Sequence, residues 1–361
     1  MRLTSTSLAS LAALALGLSA SPALADDPET YFEGETIRVI IPFSAGGGTD
    51  TFGRYISQYL GDHIPGNPTV VAENVTGAGG LMGANEYANA VDHDGYTLFT
   101  ASGHMNLRMF LGLADLELAL DGLEPIVAGP MGHVTAIQAD LIDQPEDIAE
   151  LDSITKGVTD PVGLVEALLA VEAFGIDYNA IPGYDGRGDT RVAFERGELD
   201  ITTQGTPPYL ANVMPLVEEG SARTLWAIGF TDADGNPVRD PAVPDIPTMP
   251  EVYESIHGEL PSGEAWEAYQ VAANLVQNTR GTMWVHNDAP EAAREALHMG
   301  VASMVEDEEF LAAGEEVLAG YEIMHGDGLG EVSRVMDEAP EEVLDWMRDF
   351  LTEEFGVEFD R

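Results

Sequence analysis

Apolar residues in the first hundred positions alternate between two patterns. Short β-branched runs, Arg38–Ile41 and Thr69–Ala72, each meet a glycine-rich turn, and a stripe at helical spacing begins beyond it. After the first turn, Phe52, Tyr55, Ile56, Tyr59 and Leu60 follow the i, i+3, i+4, i+7, i+8 pattern of a core-facing helix. That unit runs from Ile37 to about His63, with Thr49 or Asp50 as the predicted N-cap. After the second turn a helix from about Leu81 presents Ala84, Tyr87, Ala88 and Val91, a small-residue face suited to a sheet. Asp92-His-Asp-Gly95 breaks the chain before a third strand, Tyr96–Ala101. The β-α-β-α-β order predicts an α/β fold with a mostly parallel sheet.

Further along, Ile126–Ala139 reads as a strand interrupted at Gly129-Pro130, a run able to cross from one lobe to another. Pro145–Leu151 and Pro161–Phe174 carry helical patterns, and Tyr178–Ile181 and Asp200–Gln204 are strand-like. Tyr184-Asp-Gly-Arg-Gly188 is a third glycine turn, and a helix from Thr190 to Arg196 follows it. Leu225–Phe230 reads as a strand, and Asp232–Met249 as a long, polar, proline-rich surface connection. The tail holds two amphipathic helices. One starts near Pro290 with Asp288 as candidate cap, and the other carries Val343, Leu344, Met347, Phe350 and Leu351.

The doubled strand–turn–helix unit has a chemical consequence. Glycines at 46–48 and at 77, 79 and 80 admit positive φ and a close backbone approach. The helix behind each turn adds unpaired first-turn N–H groups and the positive end of its dipole, an anion site. Two such turns at the carboxyl ends of neighbouring parallel strands face one crevice. A small carboxylate is the expected guest, held by backbone amides without a charged side chain.

Composition narrows the setting. The 361-residue chain is 45% hydrophobic, enough for two ordinary cores. Met1-Arg2, an apolar stretch from Leu8 to Leu18 and Ser21-Pro-Ala-Leu-Ala25 read as a secretory signal peptide, residues 1–25, cleaved after Ala25. No later run reaches the ~18 apolar residues of a membrane span. Cysteine is absent, which excludes disulfides, thiol catalysis and zinc–thiolate sites. The formal charge is −48; residues 1–25 hold one charge, Arg2, so the mature chain carries −48 − 1 = −49. Lys156 is the single lysine, and the acids are spread along the whole length. Nucleic acid is excluded as a partner, for want of a basic patch. Such self-repulsion is relieved near 1 M salt, where the Debye length is ~3 Å, so the surface reads as salt-adapted.

Other motifs are weak. Gly77-Ala-Gly-Gly-Leu-Met-Gly83 loosely matches a dinucleotide pattern, but Asp92 and Asp94 sit in a turn rather than where a ribose-binding acid belongs. Ser44-Ala-Gly-Gly-Gly48 lacks the Gly-Lys-Ser/Thr of a phosphate loop. The eight histidines show no paired metal-ligand spacing, and no Gly-x-Ser-x-Gly elbow occurs. No metal or cofactor is expected. A secreted hydrolase whose residues converge only in the fold, and a receptor that reports to a sensor, stay open beside a transport receptor.

Three ordered motifs carry a resemblance. They are Arg38-Val-Ile-Ile-Pro-Phe-Ser-Ala-Gly-Gly-Gly-Thr-Asp50 with Arg54, Glu73-Asn74 with Gly77-Ala-Gly-Gly80, and Asp94-Gly-Tyr-Thr-Leu98. Gly197-Glu-Leu-Asp200, Pro244-Asp-Ile-Pro-Thr248 with Glu251, and Ala289-Pro290 follow in the same order. The chain thereby resembles the TctC/Bug family, extracytoplasmic substrate-binding receptors of tripartite tricarboxylate transporters. The resemblance implies a non-enzymatic, two-lobed Venus-flytrap fold, a type II periplasmic binding protein with mixed, mostly parallel sheets flanked by helices. Lobe 1 would comprise 26–127 and 226–361, and lobe 2 would comprise 128–225. It implies delivery of a small carboxylate to membrane subunits of the transporter; taken with the signal peptide and the charge, the expectation is a monomer in the periplasm of a salt-adapted Gram-negative bacterium. Carried onto this chain, the ligand site would include Phe43, Ser44, Gly46, Gly47, Thr49 and Asp50, then Gly77, Ala78, Gly79 and Gly80, and Ser102. Tyr184, Gly186, Gln204, Gly205 and Thr206 would contribute from lobe 2, where the chain departs from the family pattern. Asp50 is expected to cap its helix or to accept from a ligand hydroxyl or amino group.

The charge generates a prediction. Cooperative unfolding, followed by circular dichroism, is expected at ~2 M salt and lost in dilute buffer; equal cooperativity in both would refute the salt-adapted surface.

Overall fold

The computed structural model describes residues 27–158, 161–231, 237–279, 281–330 and 339–360; the predicted signal peptide lies outside them. The first strand, β1 (Thr36–Ile41), has buried residues on both faces, and it lies between β2 (Thr69–Asn74) and β3 (Thr97–Ser102), parallel to each. Helices α1 (Gly48–His63), α2 (Leu81–Ala90) and α3 (Gly103–Leu111) follow these three strands in turn. Next come β4 (Leu123–Gly129), β5 (His133–Gln138), β6 (Ser153–Val158), α4 (Val165–Ala173), β7 (Asp177–Pro182), α5 (Arg187–Glu195) and β8 (Ile201–Gly205). A helix then runs from α6 (Thr206–Pro208) through a π turn into α7 (Met214–Glu219), followed by β9 (Ala222–Ile228) and the short pair β10 (Phe230–Thr231) and β11 (Pro237–Val238). The last stretch holds α8 (Met249–His257), α9 (Glu264–Asn278), β12 (Gly281–His286), α10 (Glu291–Met304), α11 (Glu308–Val317) and α12 (Glu341–Phe355).

Two five-stranded sheets result, in the orders β2-β1-β3-β12-β4 and β7-β6-β8-β5-β9. In each, the fourth strand runs against its neighbours: β12 is antiparallel to β3 and β4, and β5 to β8 and β9. The other pairings, β1 with β2 and β3 and β6 with β7 and β8, are parallel. The architecture is therefore the expected α/β one, with two mixed sheets flanked by helices. The interrupted run 126–139 is two strands in different sheets, separated by Pro130-Met131-Gly132, and the chain returns to the first sheet through α9 and β12.

The apolar stripe of α1 behaves as its spacing dictates. Phe52, Tyr55, Ile56 and Leu60 are buried with Ile37, Val39 and Ile41 of β1 and with Leu297, Val301 and Met304 of α10. A second, larger core spans both sheets, joining Ile40 and Phe99 of the first to Ile154, Ile201 and Trp226 of the second. Helix α9 lies in it through Ala268, Tyr269, Ala272 and Val276. Several motif residues hold turns: Thr248 and Glu251 form a reciprocal capping box at α8, Asp94 accepts the Tyr96 N–H at 3.0 Å, and Asp200 accepts the Thr155 N–H at 2.7 Å.

Some local expectations are corrected. The N-cap of α1 is Gly47, not Thr49 or Asp50, and α10 starts from Pro290 without a side-chain cap from Asp288. Pro145–Glu150 is a 3₁₀ segment rather than an α-helix. The proline-rich connection after residue 231 is not all surface, since Asp240 within it is fully buried.

Gly103 marks where α3 meets α9. A Cβ there would lie 2.1 Å from the Val276 carbonyl oxygen, so backbone would have to move. Gly103→Ala is expected to lower stability by about 1–3 kcal/mol through overpacking, read as a reduced urea midpoint; an unchanged midpoint would mean that α9 yields freely.

Candidate functional site

The β1–α1 turn is shaped by a carboxylate clamp. Asp50 accepts the Gly46 N–H at 3.0 Å, Asn74 Nδ2 at 2.8 Å and Arg54 Nε at 2.7 Å. Asn74 Nδ2 also donates to the Phe43 carbonyl at 2.8 Å. Asp50, Arg54 and Asn74 thus fold the loop back on itself, and the Asp50 carboxylate is taken up by these protein partners. Gly47, the N-cap, brings no side-chain hydrogen bond. The α1 ladder begins with Thr51 N–H to the Gly47 carbonyl, so Gly48 and Thr49 amides sit at the positive end of the dipole, ahead of it.

The second turn supports this loop from behind. Gly77, Ala78, Gly79 and Gly80 all have positive φ (128°, 48°, 65° and 97°), a conformation glycine adopts without steric cost. The Gly79 carbonyl accepts from Arg108 Nη1, and Gly80 packs beneath Phe43 and Met105. Ser102 caps α3 by accepting the Met105 N–H at 3.1 Å.

Opposite α1 stands the N-terminus of α5, from the second sheet. Its N-cap, Gly186, is also without a side-chain hydrogen bond. A Cβ at Gly186 would come within 2.4 Å of Ser44 Oγ, and one at Gly188 within 3.3 Å of the Ala45 carbonyl. Two helix N-termini therefore meet across one gap. Phe43, Ser44, Gly47, Gly48 and Thr49 line the cavity from the first loop, Ser102, His104 and Arg108 from the β3–α3 segment, and Gly163 and Arg187 from the second sheet's side.

The remaining expected residues of the second sheet's side, Tyr184, Gly186, Gln204, Gly205 and Thr206, are not among those lining this cavity. Gln204 Nε2 donates to the Arg187 carbonyl at 3.0 Å and to Thr202 Oγ1 at 2.9 Å. Tyr184 packs beside Gly157, and Gly205 lies against Met131. Thr206 Oγ1 donates to the buried Asp240 at 2.5 Å, which also accepts from Tyr321 at 2.6 Å.

Side-chain charge is what the sequence reading missed. Glu166, fully buried on α4, takes His104 Nε2 at 2.6 Å and lies 3.6 Å from Arg187 Nη2. Lys156 is buried and donates to Thr203 Oγ1 at 2.9 Å. Burial pushes the Glu166 carboxyl up, but His104, Arg187 and Lys156 outweigh it and bring it down to about 2. Burial, then the charge of Arg187, pulls Lys156 down to about 7 against the opposing pull of Glu166. The same two causes take Arg108 down to about 9. The expectation of an anion site built from amides alone is thus corrected: cationic side chains stand within and behind it. Lys156 being the only lysine in an acidic chain was the signal that could have shown this.

No cluster of three metal-ligating side chains occurs among the described residues, and no helix among them is long and apolar enough to cross a membrane.

Lys156 yields a pH test. Its folded pKa, about 7, lies below the ordinary 10.5, so the unfolded chain binds the extra proton between those values and stability rises with pH there. From pH 7 to 9 the gain is about 2 kcal/mol. Urea melts should show it, and Lys156→Met should remove it; a flat wild-type profile would mean that Lys156 stays charged in the fold.

No family model matches the chain. BugT of Bordetella pertussis (strain Tohama I) is 30% identical over 247 residues, covering 64% of this chain and 69% of BugT. A UPF0065 protein from the tcbD–tcbE intergenic region of Pseudomonas sp. strain P51 is 26% identical over 251 residues, 67% of this chain and 70% of that one. Among solved structures, R. palustris Rpa4515 with adipate gives a TM-score of 0.65 at 19% identity, over 90% of this chain and 98% of that chain. Periplasmic binding protein BugD gives 0.64 at 19% identity over 90% and 98%. MatC from Rhodopseudomonas palustris with bound malate gives 0.62 at 19% identity over 87% and 98%. With the glycine turns, the paired sheets and a cavity between two helix N-termini, the BugT match places this chain in the TctC/Bug family of solute-binding receptors.

Proposed function

We propose that this protein is an extracytoplasmic receptor that captures a small carboxylate and delivers it to the membrane subunits of a tripartite tricarboxylate-type transporter. The observation that carries this reading is the meeting of two uncapped helix N-termini, Gly47 of α1 and Gly186 of α5, across one cavity. Each offers amide donors and a positive pole, one from each side of the cleft. In a chain of net charge −48, that local field is what lets an anion approach at all. The malate and adipate in two structures of the same fold support a small organic acid as the class of ligand.

In this reading 26–127 with 226–361 form one lobe and 128–225 the other, the receptor works as a monomer, and export through a cleaved signal peptide brings it to the periplasm of a salt-adapted bacterium. Phe43, Ser44, Gly47, Thr49 and Ser102 face the guest, while Gly46, Asp50 and Gly77 to Gly80 hold the loops that present it. From the far lobe Gly186 lends its helix end, and Tyr184, Gln204, Gly205 and Thr206 shape the wall behind.

The test is a thermal-shift screen of residues 26–361 near 2 M salt against mono-, di- and tricarboxylates, with calorimetry on each hit. A ligand at 100 times its Kd adds ~2.7 kcal/mol. Stoichiometric binding with the ligand recovered unchanged is expected; a folded protein indifferent to the whole panel, or one that consumes its ligand, would overturn the proposal.

A further inference from the structure

Arg187 is the first residue of α5 and lines the cavity opposite the α1 N-terminus. A guanidinium has five N–H donors in a rigid fork. Arg187 Nη1 gives one to the Thr203 carbonyl at 2.7 Å, while Nη2 lies 3.2 Å from His104 Nε2 and 3.6 Å from Glu166 Oε1. The Nε donor and part of the fork are left over for a guest. Its base is fixed: the Arg187 carbonyl accepts from Gln204 Nε2 and from Thr190 Oγ1, each at 3.0 Å. With its side chain 16% exposed, against 0% for Glu166, the guanidinium is the more accessible member of the pair.

Glu166 is an internal anion shared among several cations. Its Oε1 serves His104 and lies near Arg187, Lys156 acts on it through charge, and its Oε2 has no hydrogen-bond partner. His104 follows β3 of the first sheet, while Glu166 and Arg187 follow strands of the second. The His104–Glu166 contact therefore spans the same gap that a ligand would.

We infer, building on the receptor reading above, that Arg187 binds the ligand's carboxylate from the second side of the cleft and makes the site selective for anions. Glu166 is the rival anion from which the ligand takes it, and Gln204 is a positioning residue acting through the Arg187 carbonyl. A planar carboxylate matches the guanidinium fork, whereas an uncharged or cationic solute leaves it without a full counter-charge. Backbone amides alone would tolerate a polar neutral guest; an arginine in the same cavity does not.

The experiment is calorimetric titration of the signal-less wild type, Arg187→Gln, Arg187→Lys, Gln204→Leu and Glu166→Gln with adipate, malate and the neutral diamide of adipate near 2 M salt. The wild type should bind at least one acid and not the diamide. Arg187→Gln should weaken the acid on the order of 10- to 100-fold, the range for a charge-assisted hydrogen bond. Arg187→Lys, which keeps the charge and loses the fork, should give an intermediate loss even if the glutamine variant folds poorly. Gln204→Leu should weaken binding less than Arg187→Gln, and Glu166→Gln should tighten it. A wild type that binds an acid with both Arg187 variants equally tight overturns the inference and leaves the receptor standing. Tight binding of the diamide, or weaker acid binding in Glu166→Gln, overturns it too. A folded wild type that binds neither these acids nor any other carboxylate of the thermal-shift panel removes the reading on which it rests.

Discussion

A chain with 63 acids and 15 lysine and arginine residues has to concentrate positive potential wherever an anion is to be held. The rest of the site depends on that constraint. Helix ends supply part of the field without adding formal charge, and the remainder comes from Arg108 and Arg187, placed out of bulk water, joined by Lys156 where it is protonated. Water screens a surface arginine, and high salt removes most of what is left. A buried one keeps its field, at a desolvation cost seen in the lowered pKa of all three. Glu166 offsets that cost.

The motifs that identify the family divide into residues that hold loops and residues that face the cavity. Asp50, Arg54 and Asn74 form one hydrogen-bonded knot under the first loop. Asp94, Asp200, Thr248 and Glu251 each close a turn or cap a helix. A fingerprint of this sort preserves backbone geometry around a cleft, while His104 and Arg187, which line the cavity, lie outside it.

Legibility followed the physics of exposure. The stripe of α1 was readable because one face of that helix meets water, and the glycine turns because positive φ leaves a compositional trace. By contrast α3 is buried at nearly every position, Gly103 to Met109 and Leu111, so no polar face gives its period away. All six residues of β12 are buried, and the alternation that marks a half-exposed strand is missing. Helix α9 packs against α3, α4 and α12, which blurs its stripe. Of the cavity, the backbone half was legible from glycine spacing. The charged half was not, because Arg108, Glu166 and Arg187 come from three segments that only the tertiary fold brings together.

The insertion of β12 between β3 and β4 also bears on how the protein is assembled. Strands β5 to β9 form a contiguous stretch, so the second sheet is complete once the chain has been made to residue 228. The first sheet, although its strands begin at residue 36, lacks its fourth member until residue 286 has been added. Until then β3 has one open edge and β4 has no neighbour, and loop closure over such distances is slow. The unit synthesised first is thus the one finished last, and the cavity lined from both sides comes into being only at that final step.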